Sequence, residues 1–186
     1  MDTLSEALHV LAGEACMHVG EQAVCAPFSP VCIPFSPLPA PRPCDTDLCT
    51  WLCADAHFFT LFQSSGHTLL YSHTNEIMYH ASAQAQLPSS CPKEAAFLCQ
   101  FTFDSLPEGR VPRLLAFDVM CVGPANVRGD VLRGMQQHLP QPLCCAQWIG
   151  FPQCLSSDFL ASLPHATQGL IVLQEDSSNP LLLRQE

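Results

Sequence analysis

Four residues able to hold a metal ion crowd into residues 44–57: Cys44, Cys49, Cys53 and His57. Thiolate sulfur and imidazole nitrogen are good zinc ligands, and four of them can close a tetrahedral site. Zinc ribbons and fingers, however, supply a second cysteine or histidine pair further along the chain, and none follows here. Zinc at these four positions is therefore the weaker reading, and buried free thiols the stronger. Adjacent Cys144 and Cys145 read as core thiols. No Cys-x-x-Cys pair supports redox chemistry. His67, His73, His80, His138 and His165 are scattered among polar turns. Neither a Gly-x-Ser-x-Gly elbow nor a phosphate-cradling glycine loop accompanies them, so hydrolase chemistry has no constellation to rest on.

Two further side chains carry two readings each. Asp118 lies inside the apolar run Leu114–Cys121. A buried carboxylate is costly unless satisfied, so it either touches a ligand or pairs with an arginine such as Arg128 or Arg133. Trp51 is either a ring on which a nucleobase stacks or a core residue, and the core reading is favoured. Trp148, beside Ile149 and Phe151, reads as core.

The composition limits what partners such residues could serve. Of 186 residues 48% are hydrophobic and 13% charged, with a net charge of −10. That is enough apolar material for a sizeable core. Six arginines and the single Lys93 cannot neutralise a nucleic-acid backbone, so duplex DNA and anionic membranes are disfavoured partners. A pocket for one nucleotide needs only a few cations and a ring, and stays open as a reading. The start Met1-Asp2-Thr3-Leu4-Ser5-Glu6 has no basic, apolar leader. With 12 cysteines and no membrane-length apolar run, we expect a reducing compartment, cytoplasmic or nuclear.

The elements that must position these residues follow from periodicity. Leu4, Leu8, Val10 and Leu11 predict a short helix over 2–13. Residues 26–45 form a Pro-rich linker or arm whose Phe28, Ile33 and Phe35 are poised to dock on the domain or a partner. Strands are predicted at 57–62, 67–72, 76–80, 97–103, 114–121, 169–173 and 180–183, with a turn at 63–66. Phe97, Cys99, Phe101 and Phe103 share one face of their strand. Helices are predicted over 130–139 and 156–163, the second capped by Ser156 or Ser157. The organisation is residues 1–25 as helix and connector, 26–45 as arm, and 46–186 as the folded domain. Strands and helices mix without regular alternation, so the predicted class is α+β.

Three segments, in this order, carry a resemblance: Phe62-Gln63-Ser64-Ser65-Gly66-His67, then Leu115-Ala116-Phe117-Asp118-Val119-Met120, then Gln168-Gly169-Leu170-Ile171-Val172 followed by Leu181-Leu182-Leu183-Arg184. Over roughly residues 50–186 the chain resembles the nucleotidyltransferase superfamily of mRNA capping enzymes and ATP-dependent ligases. Its Leu-x-x-Asp-Val-Met-Cys strand is most similar to that of the snurportin cap-binding domain. The resemblance implies antiparallel sheets with a few flanking helices, without the C-terminal oligonucleotide-binding domain. It also implies a pocket bordered by Trp51, Gln63, Ser65, Asp118, Gln168 and Arg184.

The departures decide the expected chemistry. Gln63 stands where the family keeps its nucleophilic lysine, and a carboxamide cannot form a phosphoramidate. Ser65, Met120 and Gln168 stand where the family keeps acids, and Arg184 alone keeps a cation. Lys93, in Ser90-Cys91-Pro92-Lys93-Glu94, lacks the motif around it. The position of snurportin's stacking tryptophan is Val122. We therefore expect no catalytic residue and no cofactor. The first expected function is a non-catalytic, nucleotidyltransferase-like module that binds a protein partner. The alternative is a nucleotide or RNA-cap binder, and an active transferase comes last.

Overall fold

The computed structural model describes residues 3–12, 31–35, 48–64, 67–87, 96–120, 125–136, 139, 142–154, 156–173 and 181–185. Helix α1 spans Thr3–Ala12 and buries Ala7, Leu11 and Ala12, with Leu4, Leu8 and Val10 packed at its margins. Its last carbonyls lack helical donors. Ser82 supplies both: its N–H donates to the Leu11 carbonyl at 2.7 Å and its hydroxyl to the Val10 carbonyl at 3.2 Å. At the other end the Thr3 hydroxyl meets His57 Nε2 at 2.8 Å, so each end of the helix is tied to the sheet system.

Eleven strands are described. They are β1 (Val31–Phe35), β2 (Leu48–Cys53), β3 (His57–Ser64), β4 (His67–Ser72), β5 (Ile77–His80), β6 (Ala96–Leu106), β7 (Gly109–Met120), β8 (Leu143–Cys145), β9 (Ile149–Gly150), β10 (Thr167–Leu173) and β11 (Leu181–Gln185). Between them lie α2 (Ala125–Met135), α3 (Phe151–Cys154) and α4 (Ser157–Ser162). The first sheet has the order β5-β4-β3-β6-β7-β8 and the second β1-β11-β10-β2-β9. The fold is α+β and sheet-rich, as the mixed pattern predicted.

Several boundaries differ from the sequence expectation, each for a pairing reason. Strand β3 runs through Gln63 and Ser64, which the turn chemistry had assigned to a loop, because they pair with Thr68 and His67. Trp51, expected ahead of the first strand of the domain, sits inside β2 opposite Leu170. Helix α2 begins five residues earlier than Asp130, at Ala125. Ser156 does precede α4, but its side chain makes no cap hydrogen bond; its carbonyl accepts the Leu160 N–H at 3.0 Å instead. Part of the stretch read as an arm is strand β1, which pairs in parallel with β11 from Val31↔Leu181 to Phe35↔Gln185.

The β6–β7 hairpin is the spine of the first sheet. It turns at Gly109, whose φ of +130° is a region that side chains disfavour. One extra residue, Phe117, is accommodated between the pairs Leu98↔Asp118 and Cys99↔Ala116. Phe117 is fully buried and meets Phe58 edge-on, with centroids 6.0 Å apart. Phe59, Phe97, Phe101 and Phe117 are each at most 1% exposed, and burying each contributes roughly 1.5–3 kcal/mol. Leu52, Ile171 and Leu182 of the second sheet join the same core. Among the described residues no helix is long and apolar enough to cross a membrane.

Candidate functional site

Alternation along the paired strands sorts the expected pocket residues onto faces. Gln63 shares a face of β3 with Phe59 and Leu61, and through Leu61↔Phe97↔Val119 with the neighbouring strands. Asp118 pairs with Leu98, which pairs with Thr60, so it belongs to the opposite face. The first sheet therefore places Gln63 and Asp118 on opposite faces. Gln63 keeps its Oε1 buried without a partner. Asp118 is fully buried and its Oδ1 accepts the Val119 N–H at 2.8 Å.

The remaining candidates gather in the second sheet. Leu170, opposite Trp51, is preceded by Gly169, opposite Arg184. Gln168 Nε2 donates to the Cys53 carbonyl at 3.1 Å, a bond that joins strand ends. The Arg184 side chain and Ser65 lie outside the described residues, as does Cys44. Trp51 is only 6% exposed. Phe159 of α4 packs against it edge-on and the His165 ring lies tilted beside it, both with centroids 5.8 Å away. Trp51 is thus a packed core ring with no open face for a base.

The three described zinc candidates, Cys49, Cys53 and His57, do not gather into one ligand set. His57 turns to Thr3 on α1. Cys49 packs with Ile149, Cys154 and Leu170, whereas Cys53 packs with Trp51 and Leu115. Burial pushes the Cys53 thiol up to about 12, against the smaller pull of the Thr102 hydroxyl and the Trp51 indole. A thiol held that firmly is a poor nucleophile. Burial likewise raises Cys99 well above its ordinary range and Cys144 to about 11. Among the described residues no three His, Cys, Asp or Glu side chains could hold a metal ion together.

The structure does assemble a polar cluster that the sequence reading did not single out. Asp104 of β6, 5% exposed, receives Arg113 Nε at 2.5 Å on Oδ2 and His165 Nδ1 at 2.9 Å on Oδ1. A carboxylate–guanidinium pair is thus found at Asp104, while the Arg128 side chain offered as a partner for Asp118 lies outside the described residues. Arg133 bonds Asp130 within α2. His165 Nε2 is buried without a partner next to Trp51. Nearby, Gln100 is fully buried: its Nε2 donates to the Trp51 carbonyl at 2.9 Å, and its Oε1 accepts the Cys53 N–H at 3.0 Å. Strand β9 covers only Leu48 and Cys49 of β2. Gln100 thus does for Trp51 and Cys53 what a longer β9 would have done. The cluster joins β6 and β7 to β2 and the segment before β10, and it ties the two sheets together. Its chemistry is that of a satisfied interface between layers.

Away from this interface, His73 Nε2 meets the Thr60 hydroxyl at 2.8 Å, and its ring stands perpendicular to Tyr71 at 4.9 Å. Burial lowers its pKa from an ordinary 6.5 to about 4. The signal that could have found the Asp104 cluster is the alternation of Gln100, Thr102 and Asp104 with the phenylalanines of β6. All three polar residues are buried.

Comparison with known proteins adds no identity: no protein-family model matches the chain, and no curated protein matches it.

Proposed function

We propose that this chain is a non-catalytic, nucleotidyltransferase-like domain that works by binding proteins. The observation that carries the reading is strand β1. An extended apolar segment, distant in sequence, completes the edge of the second sheet by backbone pairing with β11. Adding a strand to a sheet edge is a common way for a domain to take up a peptide. The net charge of −10 disfavours a polyanionic ligand and fits a protein partner.

The family relation rests on the order of the motifs. Their strands occur in the expected order, with Gln63 in β3, Asp118 in β7, Gln168 in β10 and Arg184 in β11. Bond-making has no support from the residues: Gln63 offers no basic amine, and it and Asp118 occupy opposite faces. Cap or nucleotide binding loses its ring, because Trp51 is packed under Phe159 and beside His165.

Titration of the full chain with GTP, ATP and a cap analogue, followed by tryptophan fluorescence, separates the readings. Flat titrations up to millimolar ligand are expected. Saturable quenching would favour the nucleotide-binding alternative. A radiolabelled adduct surviving a denaturing gel, lost in Lys93→Ala, would establish a transferase with a relocated lysine.

A further inference from the structure

We propose that the edge of β11 is a peptide-binding edge whose ligand is an extended apolar segment entering parallel to Leu181–Gln185, and that Val31–Phe35 fills it in cis until such a segment replaces it. The proposal rests on the protein-binding reading and names the surface and the class of ligand.

The pairing itself is the first argument. Parallel neighbours cannot come from a tight hairpin, and β1 and β11 lie far apart in the chain. Strand β1 therefore belongs to this sheet by docking. β11 holds β10 on its other side. Without β1, its row of N–H and C=O groups would be the open end of the sheet, a template for any extended chain.

The second argument is the ease of release. Strand β1 ends the sheet, and β11 is its sole strand neighbour among the described residues. Among the described residues its departure breaks no other strand pairing. Residues 13–30 separate it from α1, and residues 36–47 from β2. Pro34, opposite Arg184, has no N–H, which suits an edge strand whose other side faces away from the sheet.

The third argument is chemical. The edge reads Leu181-Leu182-Leu183 and its occupant Val31-Cys32-Ile33-Pro34-Phe35, a segment without a charge. Leu182 and Leu183 are buried. A ligand for this edge is thus an uncharged, β-branched or aromatic stretch of about five residues, the usual length of a short strand.

The test uses the full chain and a fluorescein-labelled peptide with the sequence of residues 28–37. Anisotropy is read for the wild type, Ile33→Pro and Cys32→Pro, with a scrambled peptide as control. Ile33→Pro removes a donor directed at β11, whereas Cys32→Pro, in phase with Pro34, removes one that faces away from the sheet. A tethered strand competes at millimolar effective concentration, so Ile33→Pro should bind the peptide roughly tenfold more tightly than the wild type, and Cys32→Pro about as the wild type does. The peptide should also restore slow amide exchange at alternate residues of β11, those whose N–H groups point away from β10. Equal binding by all three chains, no binding by any, or binding of the scrambled peptide would overturn the proposal. Loss of cooperative unfolding in Ile33→Pro would overturn it too, since β1 would then be part of the fold rather than a releasable strand. A natural partner retained equally by wild type and Ile33→Pro, with no peptide bound, would sink this edge and leave the protein-binding reading standing.

Discussion

Replacing Gln100 with leucine removes a side chain that bridges the two sheets through backbone groups on both its amide atoms. Gln100 is fully buried, and its carboxamide completes the Trp51 carbonyl and the Cys53 N–H at 2.9 Å and 3.0 Å. Leucine of similar size fills the space but leaves both backbone groups without that partner. Each unsatisfied buried group costs roughly 1–3 kcal/mol, and the added apolar burial offsets part of it, so a net loss of about 2–4 kcal/mol is expected. Urea unfolding measures it: the midpoint should fall while the slope stays constant, because the surface exposed on unfolding hardly changes. Gln100→Glu sharpens the test. It keeps an acceptor for Cys53 but cannot donate to the Trp51 carbonyl while ionised, and its buried charge should make it the more damaging variant. A loss below about 0.5 kcal/mol for Gln100→Leu would refute the argument that this amide stands in for a missing strand, since that is the range of an inconsequential surface change.

Three further outcomes follow from the same reasoning. Because the folded-state pKa of His73, about 4, lies below its ordinary 6.5, the unfolded chain takes up the proton first as pH falls. Stability from this residue is intact above pH 6.5 and drains as pH drops toward 4. After discounting for its partial exposure the loss is about 1–2 kcal/mol, and His73→Gln should abolish that slope in urea melts at a series of pH values. Asp104→Ala strips both Arg113 and His165 of their acceptor and should cost about 2–4 kcal/mol in the same melts, whereas Asp130→Ala, on an exposed pair, should cost under about 0.5 kcal/mol. Cys53 and Cys99, buried and held as thiols, should resist iodoacetamide at pH 8 until the chain is unfolded, as read by peptide mass spectrometry.

The sequence made some elements readable and concealed others, for physical reasons. The run Leu114–Val119 and the alternating phenylalanines of β6 declared strands because a buried strand face has few other solutions. Strand β2, Leu-Cys-Thr-Trp-Leu-Cys, was obscured by its cysteines, which invited a ligand reading, whereas five of its six residues are buried. Strands β8 and β9, of three and two residues, are too short for any period to register. Alternation along β6 located the apolar face and was silent about what covers the other. Gln100, Thr102 and Asp104 are polar because they face the second sheet and its backbone, not water. Strand β1 was the hardest to read, since Pro34 argues against a ladder unless the strand lies at an edge, which only the pairing with β11 reveals. Motif order says nothing about parity, so the sequence could not tell that Gln63 and Asp118 take opposite faces of the first sheet. A single bulge residue, Phe117, helps fix which face each side chain of β7 takes.

The most direct test of the protein-binding account is the mass of the assembly this 20.3 kDa chain occupies at its natural abundance, read by mass photometry after gentle isolation through an endogenous tag. The account expects a heavier complex of fixed composition that survives nuclease treatment and added GTP. A chain recovered alone, or a complex that dissolves with nuclease or nucleotide, would contradict it.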